Sequence, residues 1–229
     1  MAGSAAPHVL LSRSALEENA RRLLREGGTV DLRHDALGHG LDEVVPIVRD
    51  AGASALLIDE GGDAGRFADD AGIPVLLDGE ADVDAHALFG IPDGESSSAP
   101  VMQLQGRVLS TKPLLAGEAV SYGYTHRAQH DTRVALVTGG YAQGILRALG
   151  NRARVQIGED AHPIVGRIAM DVCVVDLEGE DAAAGSPVIY FGGAGPMRDA
   201  LRQWSAVTGL TALEMAVVVG RHGERRWTA

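Results

Sequence analysis

Residues 90–100 read GIPDGESSSAP, a cluster of turn-forming and small polar residues that divides the chain into two stretches of different periodicity. Before it, apolar strand-like runs at 29–33, 54–58 and 74–77 alternate with helical patterns at 41–51, 62–71 and 80–89. That alternation predicts parallel βαβ organisation. Ahead of these units, residues 8–12 predict a short strand. Ser14 with Glu17 predicts a capping box that opens a helix running to about Arg25. After the break the texture changes. Short apolar or alternating runs at 101–109, 118–122, 133–138, 153–157, 163–169, 172–177 and 187–191 predict an antiparallel β domain of the small-barrel kind. A helix is expected at 197–207 and a last strand or extended segment at 213–219. The fold class is therefore α/β plus β, with a partial βα barrel-like part over residues 1–97 and an antiparallel β domain over residues 98–229. A complete eight-unit βα barrel takes about 250 residues. Only about 90 residues precede the break, enough for roughly three units.

Charge and composition exclude several classes of function. The net charge is −11 with scattered basic residues, so nucleic acid is not an expected partner. No run approaches the roughly 20 apolar residues of a membrane span, and the N-terminal stretch is neither basic nor continuously apolar. A soluble, cytoplasmic protein is expected. The single cysteine, Cys173, lies in the apolar run VCVVDL and reads as a buried, inert thiol. Lys112 is the only lysine among 20 basic residues. Arginine replaces a surface lysine without penalty, but a guanidinium cannot replace an amine that must form a Schiff base.

Two groups of side chains carry possible metal-binding spacing: His34, Asp35 and His39, and His126, His130 and Asp131. An H-x3-H pair shares a face only on a helix, and neither segment reads as a regular helix. No metal is expected. The glycines of the G-H-G at 38–40 are read as serving a strand-to-helix turn.

The second stretch carries longer signals. It contains GEAVSYG at 117–123, HDTR at 130–133, GYAQGILRALGN at 140–151 and VGRIAMD at 165–171. In order and spacing these resemble the C-terminal domain of alanine racemases, over roughly residues 101–229. The earlier segment DLRHDALGHG at 31–40 is similar to the family's VVKADAYGHG segment. The resemblance implies an eight-stranded βα barrel joined to a β domain, acting as a dimer with a shared site and using pyridoxal phosphate (PLP). It puts the PLP lysine at the position of Arg33 and a cofactor-contacting tyrosine at that of Leu37, while Asp35, Gly38, His39 and Gly40 match the pattern. It implies that Tyr122 corresponds to a catalytic acid/base tyrosine acting from the neighbouring subunit. Met170 and Asp171 correspond to a pair whose methionine amide helps bind the substrate carboxylate, and Tyr141 to a tyrosine at the substrate entrance.

Each of these residues also has a purely structural reading. Tyr122 suits a half-buried place on a strand, Met170 and Asp171 a tight turn capped by the aspartate, and Tyr141 packing between glycine turns. Arg33 either holds an anionic ligand where the imine or phosphate would lie, or is a strand-end arginine that points to solvent or pairs with Asp31 or Asp35. Lys112 is expected in a turn before the Tyr122 strand and is a poor substitute anchor, because nothing near it in sequence lowers an amine pKa. No cofactor is expected, PLP included. Three functions stay open: a non-catalytic binding or interaction module, a PLP-independent enzyme using Tyr122 on a small anionic substrate, and an amino-acid racemase with PLP held noncovalently. The expected partners are a second copy of the chain or a related complete racemase. Open strand edges, which favour pairing with another chain, support this expectation.

Overall fold

The computed structural model describes residues 6–61, 66–67, 72–92 and 98–229. The expected helix at 62–71 and the serine-rich part of the break lie mostly outside these residues. Thirteen strands are described. Six close into an antiparallel barrel in the order β5 (Met102–Leu114), β8 (Thr132–Thr138), β11 (Val172–Asp176), β10 (Asp160–Val165), β9 (Arg154–Ile157), β12 (Pro187–Phe191) and back to β5. Closure leaves these strands no free edge along most of their length. The alternation that made the strands legible is the burial pattern itself. In β11 the buried residues Cys173 and Val175 alternate with half-buried ones, as a two-residue period demands.

The wall continues past β5. Strand β1 (His8–Ser12) pairs antiparallel with β5, and β13 (Glu224–Thr228) runs parallel on the other side of β1. Helix α1 (Arg13–Leu23) follows β1 directly. Its N-cap is Ser12, whose hydroxyl accepts from the Ala15 N–H, not Ser14 as the sequence spacing suggested. The side chain of Asn19 ties α1 to the segment before β5. Its Nδ2 donates to the carbonyls of Leu88 and Ala99, and its Oδ1 accepts from the Ala99 N–H. Both its N–H groups and its oxygen are thus partnered although it is buried.

The three predicted parallel strands are present but short: β2 (Thr29–Asp31), β3 (Ala55–Leu57) and β4 (Val75–Leu76), in the order β2-β3-β4. Helix α2 (Leu41–Asp50) matches its predicted span. Helix α3 (Ala85–Phe89) is half the expected length, because Asp84 caps it and the residues before it are used elsewhere. The side chain of Asp82 accepts from the Thr29 N–H, and the N–H groups of Asp82 and Val83 donate to the Thr29 carbonyl. Strands β6 (Ala119–Val120) and β7 (His126–Arg127) form a small separate ribbon.

The extended segment expected at 213–219 is instead part of a helix, α5 (Ala212–His222), which follows α4 (Ala200–Thr208). The run of valines has high strand propensity, but Thr211 and Glu214 form a reciprocal capping box. Ala212, Met215, Ala216, Val219 and Gly220 are buried at helical spacing. Capping and the 3.6-residue period outweigh propensity here. One contiguous core joins both stretches, from Leu11, Leu56 and Phe89 to Tyr190 and Trp204.

Candidate functional site

Arg33 leaves β2 and is immediately committed. Its N–H and Nε both donate to Asp31 Oδ1 at 3.0 Å, and its guanidinium closes a fork on the same carboxylate. Partial burial would raise the Asp31 carboxyl, but these hydrogen bonds and the adjacent positive charge outweigh it and hold the group below its usual value. Of the two structural pairings left open for Arg33, the structure takes Asp31. Asp35 instead binds Arg225 on β13 and accepts from the Leu41 N–H at 2.9 Å.

The next four residues are the least expected local feature. His34, Asp35, Ala36 and Leu37 have φ of 57°, 60°, 52° and 53°, a full left-handed turn without glycine. Each such residue costs roughly 1 kcal/mol or more, so outside contacts must impose the turn. Asp59 accepts from the His34 N–H, and Arg225 also donates to the Gly38 carbonyl at 3.3 Å. Gly38 continues the positive φ at 86°, and a Cβ there would sit 3.1 Å from the Val217 carbonyl, so the turn lies flat on α5. His34 is exposed opposite Asp59, whereas His39 is buried and stacked on Phe89 at 4.1 Å, so the two do not share a site. Among the described residues no group of three His, Cys, Asp or Glu side chains is placed to hold a metal.

Against this turn lies a groove of about 450 Å³, lined by Leu37, Leu146, Leu213, Val217 and Val218, with His34 and Glu214 as its titratable members. Hydrogen bonds from Thr211 hold the Glu214 carboxyl below its usual value, so it is an anion at neutral pH. The sequence reading missed this wall because it took 213–219 as extended. Helical spacing of the same residues is the signal that would have found it.

Tyr141, Met170 and Asp171 come together. Tyr141 opens a short 3-10 turn, Tyr141–Gln143, and its N–H donates to the Ala169 carbonyl at 3.0 Å. The Ala142 N–H donates to the Met170 carbonyl, the Gly139 N–H to the Asp171 carbonyl, and Gln143 Nε2 to Asp171 Oδ1 at 2.9 Å. Asp171 thus pins the neighbouring loop, whereas its own turn is closed by the Ala169 N–H donating to the Val172 carbonyl rather than by the aspartate side chain. Tyr141 is not packed away between glycines. It is 39% exposed, with the Arg147 guanidinium 5.5 Å from its ring.

Tyr122 departs from expectation. Its strand ends at Val120, and positive φ at Ser121, Gly123 and Tyr124 turns the chain outward, leaving Tyr122 74% exposed. The Ser121 hydroxyl donates to the Arg167 carbonyl at 2.7 Å, so this loop leans on the segment that carries Met170. Lys112 is not in a turn: β5 runs on to Leu114, and Lys112 sits in the barrel wall opposite Val134. Cys173 is buried with its Sγ 3.3 Å from the Tyr190 hydroxyl, and burial pushes its thiol up to about 12. Among the described residues no helix is long and apolar enough to cross a membrane.

The geometry can now be set beside known proteins. Residues 101–227 match the family model described as alanine racemase, C-terminal domain. The alanine racemase of Mycolicibacterium vanbaalenii is 40% identical over 132 residues, which is 57% of this chain and 33% of that protein. The chain thus spans about a third of the length of such a relative. The solved alanine racemase from E. faecalis shares the fold with a TM-score of 0.83 at 14% identity, covering 100% of both chains. The one from Bartonella henselae, solved with covalently bound pyridoxal phosphate, gives a TM-score of 0.76 at 15% identity over 98% of this chain and 100% of that one. The groove that begins at His34, one residue after Arg33, does not suit that group. Its walls are aliphatic, its fixed charge is the Glu214 carboxylate, and the chain's one amine side chain stands in the barrel wall. The six-stranded barrel, the paired loops at Tyr141 and Met170 and the match over residues 101–227 lead to one assignment: the chain belongs to the alanine racemase family, through that family's C-terminal domain.

Proposed function

We propose that this chain is a family member that does not hold pyridoxal phosphate and serves as a non-catalytic binding or interaction module. The observation that carries the reading is the state of position 33. A Schiff base needs a free amine facing the cofactor, and here a guanidinium stands there, closed on Asp31. The three short parallel strands then represent part of a βα barrel, kept for the core they share with the β domain. The test is direct. Purified protein is incubated with pyridoxal phosphate, reduced with borohydride and weighed intact by mass spectrometry. The expected result is no stoichiometric adduct. One adduct per chain on Lys112 or on the chain's amino terminus, accompanied by D-alanine formation, overturns the proposal.

A second element concerns assembly. Tyr122 and Met170 are 74% and 54% exposed, and both rest on the segment 166–171. Large apolar side chains held out on a fixed loop suit an interface, and we read this face as the one that meets a second copy or a related complete racemase. Light scattering at tens of micromolar is expected to give a dimer mass that Tyr122→Glu reduces to a monomer. A monomer for the unaltered chain rejects the self-association. The Met170 N–H has no acceptor among the described residues, which suits a small carboxylate bound at that interface.

A further inference from the structure

The two edges of the parallel sheet are treated differently by the chain itself. In a parallel strand alternate residues turn both peptide groups to the same side. The Gly28 carbonyl accepts from Ser54, and the Leu32 N–H donates to Leu57, so Thr29 faces away from β3. That outward position is closed by Asp82 and Val83, which satisfy both its N–H and its carbonyl. At the other edge the carbonyls of Pro74 and Leu76 accept from Leu56 and Ile58, so Val75 and Leu77 face away. Among the described residues nothing closes that side.

The side chains at the open edge are as informative as its backbone. Leu76 is 38% exposed and Leu77 51%, on opposite faces of the strand. Both β3 and β4 run out into acids at this end: Asp59 and Glu60 after β3, Asp78 and Glu80 after β4. Asp59 faces His34 at 3.8 Å, and among the described residues no cation pairs with Glu60, Asp78 or Glu80. An apolar strand edge ringed by four carboxylates, three of them without a cationic partner among the described residues, is complementary to an extended segment that carries basic side chains. A second copy of this chain fits poorly, because it would bring the same four acids and a net charge of −11 against them.

We infer that the outer edge of β4 is a docking site for an extended, basic segment of a different protein, which adds to the sheet as a fourth strand beside Val75–Leu77. This does not depend on what the groove at His34 binds, since the edge is defined by β3 and β4 alone. The probe is a labelled peptide of about eight residues alternating valine and lysine, with a valine–glutamate peptide as its control. Fluorescence anisotropy is expected to show saturable binding of the lysine peptide, weakening as salt is raised, and none of the glutamate peptide. Leu77→Pro removes one outward N–H without touching the bonds to β3, and is expected to weaken binding about tenfold. Asp78→Lys with Glu80→Lys is expected to do the same while unfolding of the variant by urea stays cooperative. Equal binding by Leu77→Pro, or no binding by the unaltered chain, overturns the inference. Self-association that Leu77→Pro abolishes also overturns it, in favour of a second copy at this edge.

Discussion

Acidification from pH 6.5 to about 4 is expected to remove about 3 kcal/mol of folding stability through His39 alone. The ring is fully buried, stacked on Phe89, and its Nδ1–H donates to the Ala36 carbonyl at 3.0 Å. Its Nε2 is buried without a partner, so a proton added there would be an unpaired charge out of water. Burial is the main cause that moves the group from 6.5 down to about 4. Contacts with the Ala36 and Leu37 backbone and with Asp35 oppose the shift, and Arg225 reinforces it. The sign follows from the unfolded chain, where the same ring takes up its proton near 6.5. Above that pH both states are neutral and stability is full. Between 6.5 and about 4 only the unfolded state binds the proton, so stability falls as pH falls. Below about 4 both are protonated and the loss levels off. The carboxyls held low by their partners, Asp31, Glu214 and Glu224, add losses of the same sign, but these begin only as the unfolded carboxyls take up protons, near 4.5 for the glutamates and 3.8 for Asp31, at the acid end of this window and below it. Urea denaturation at half-unit pH steps should show the slope, and His39→Gln should flatten it between 6.5 and 4. An unchanged slope in the variant would show that another group carries the effect.

The same histidine marks where sequence reading stops. The barrel was legible because buried residues alternate with more open ones along much of its strands, strictly in β9 and β11, and the alternation survives in a single sequence. Residues 34–37 were not. HDAL contains no glycine and nothing local predicts four left-handed residues. Their conformation is imposed by Asp59 and by Arg225, whose partner Asp35 lies 190 residues away in sequence. Position 213–219 failed for a different reason. Three consecutive valines favour a strand by propensity, and only the Thr211–Glu214 cap and the buried helical spacing overrule it. For Tyr122, the motif matched but its strand was overestimated by two residues, which changed a half-buried side chain into an exposed one. Motifs carried the family, but neither the exposure of a side chain nor its long-range partner can be read from them.

Gly140→Ala is expected to destabilise the chain by about 3 kcal/mol and to loosen Tyr141 from Met170 and Asp171. The backbone of Gly140 is extended, at φ −152°, so any residue could adopt it, and the stiffer unfolded chain would by itself favour alanine by about 0.4–1 kcal/mol. The obstacle is contact. A Cβ at this position would stand 2.3 Å from the carbonyl oxygens of both Ala169 and Met170. These are backbone atoms, and a rotamer change cannot move them aside. The same segment accepts from the Tyr141 and Ala142 N–H groups at 3.0 Å, so a shift large enough to admit the methyl breaks both bonds. Overpacking costs roughly 1–3 kcal/mol, and each lost hydrogen bond about 1 kcal/mol. No helix propensity is gained in return, because position 140 only precedes a three-residue 3-10 turn. Hydrogen exchange gives the sharper reading, since the Tyr141 and Ala142 amides should exchange faster in the variant while those of β8 and β11 keep their order of protection. If stability changed by less than about 0.5 kcal/mol with both amides still protected, the loop and the Met170 turn would be able to part freely. The fixed face proposed for Tyr122 and Met170 would then lose its physical basis.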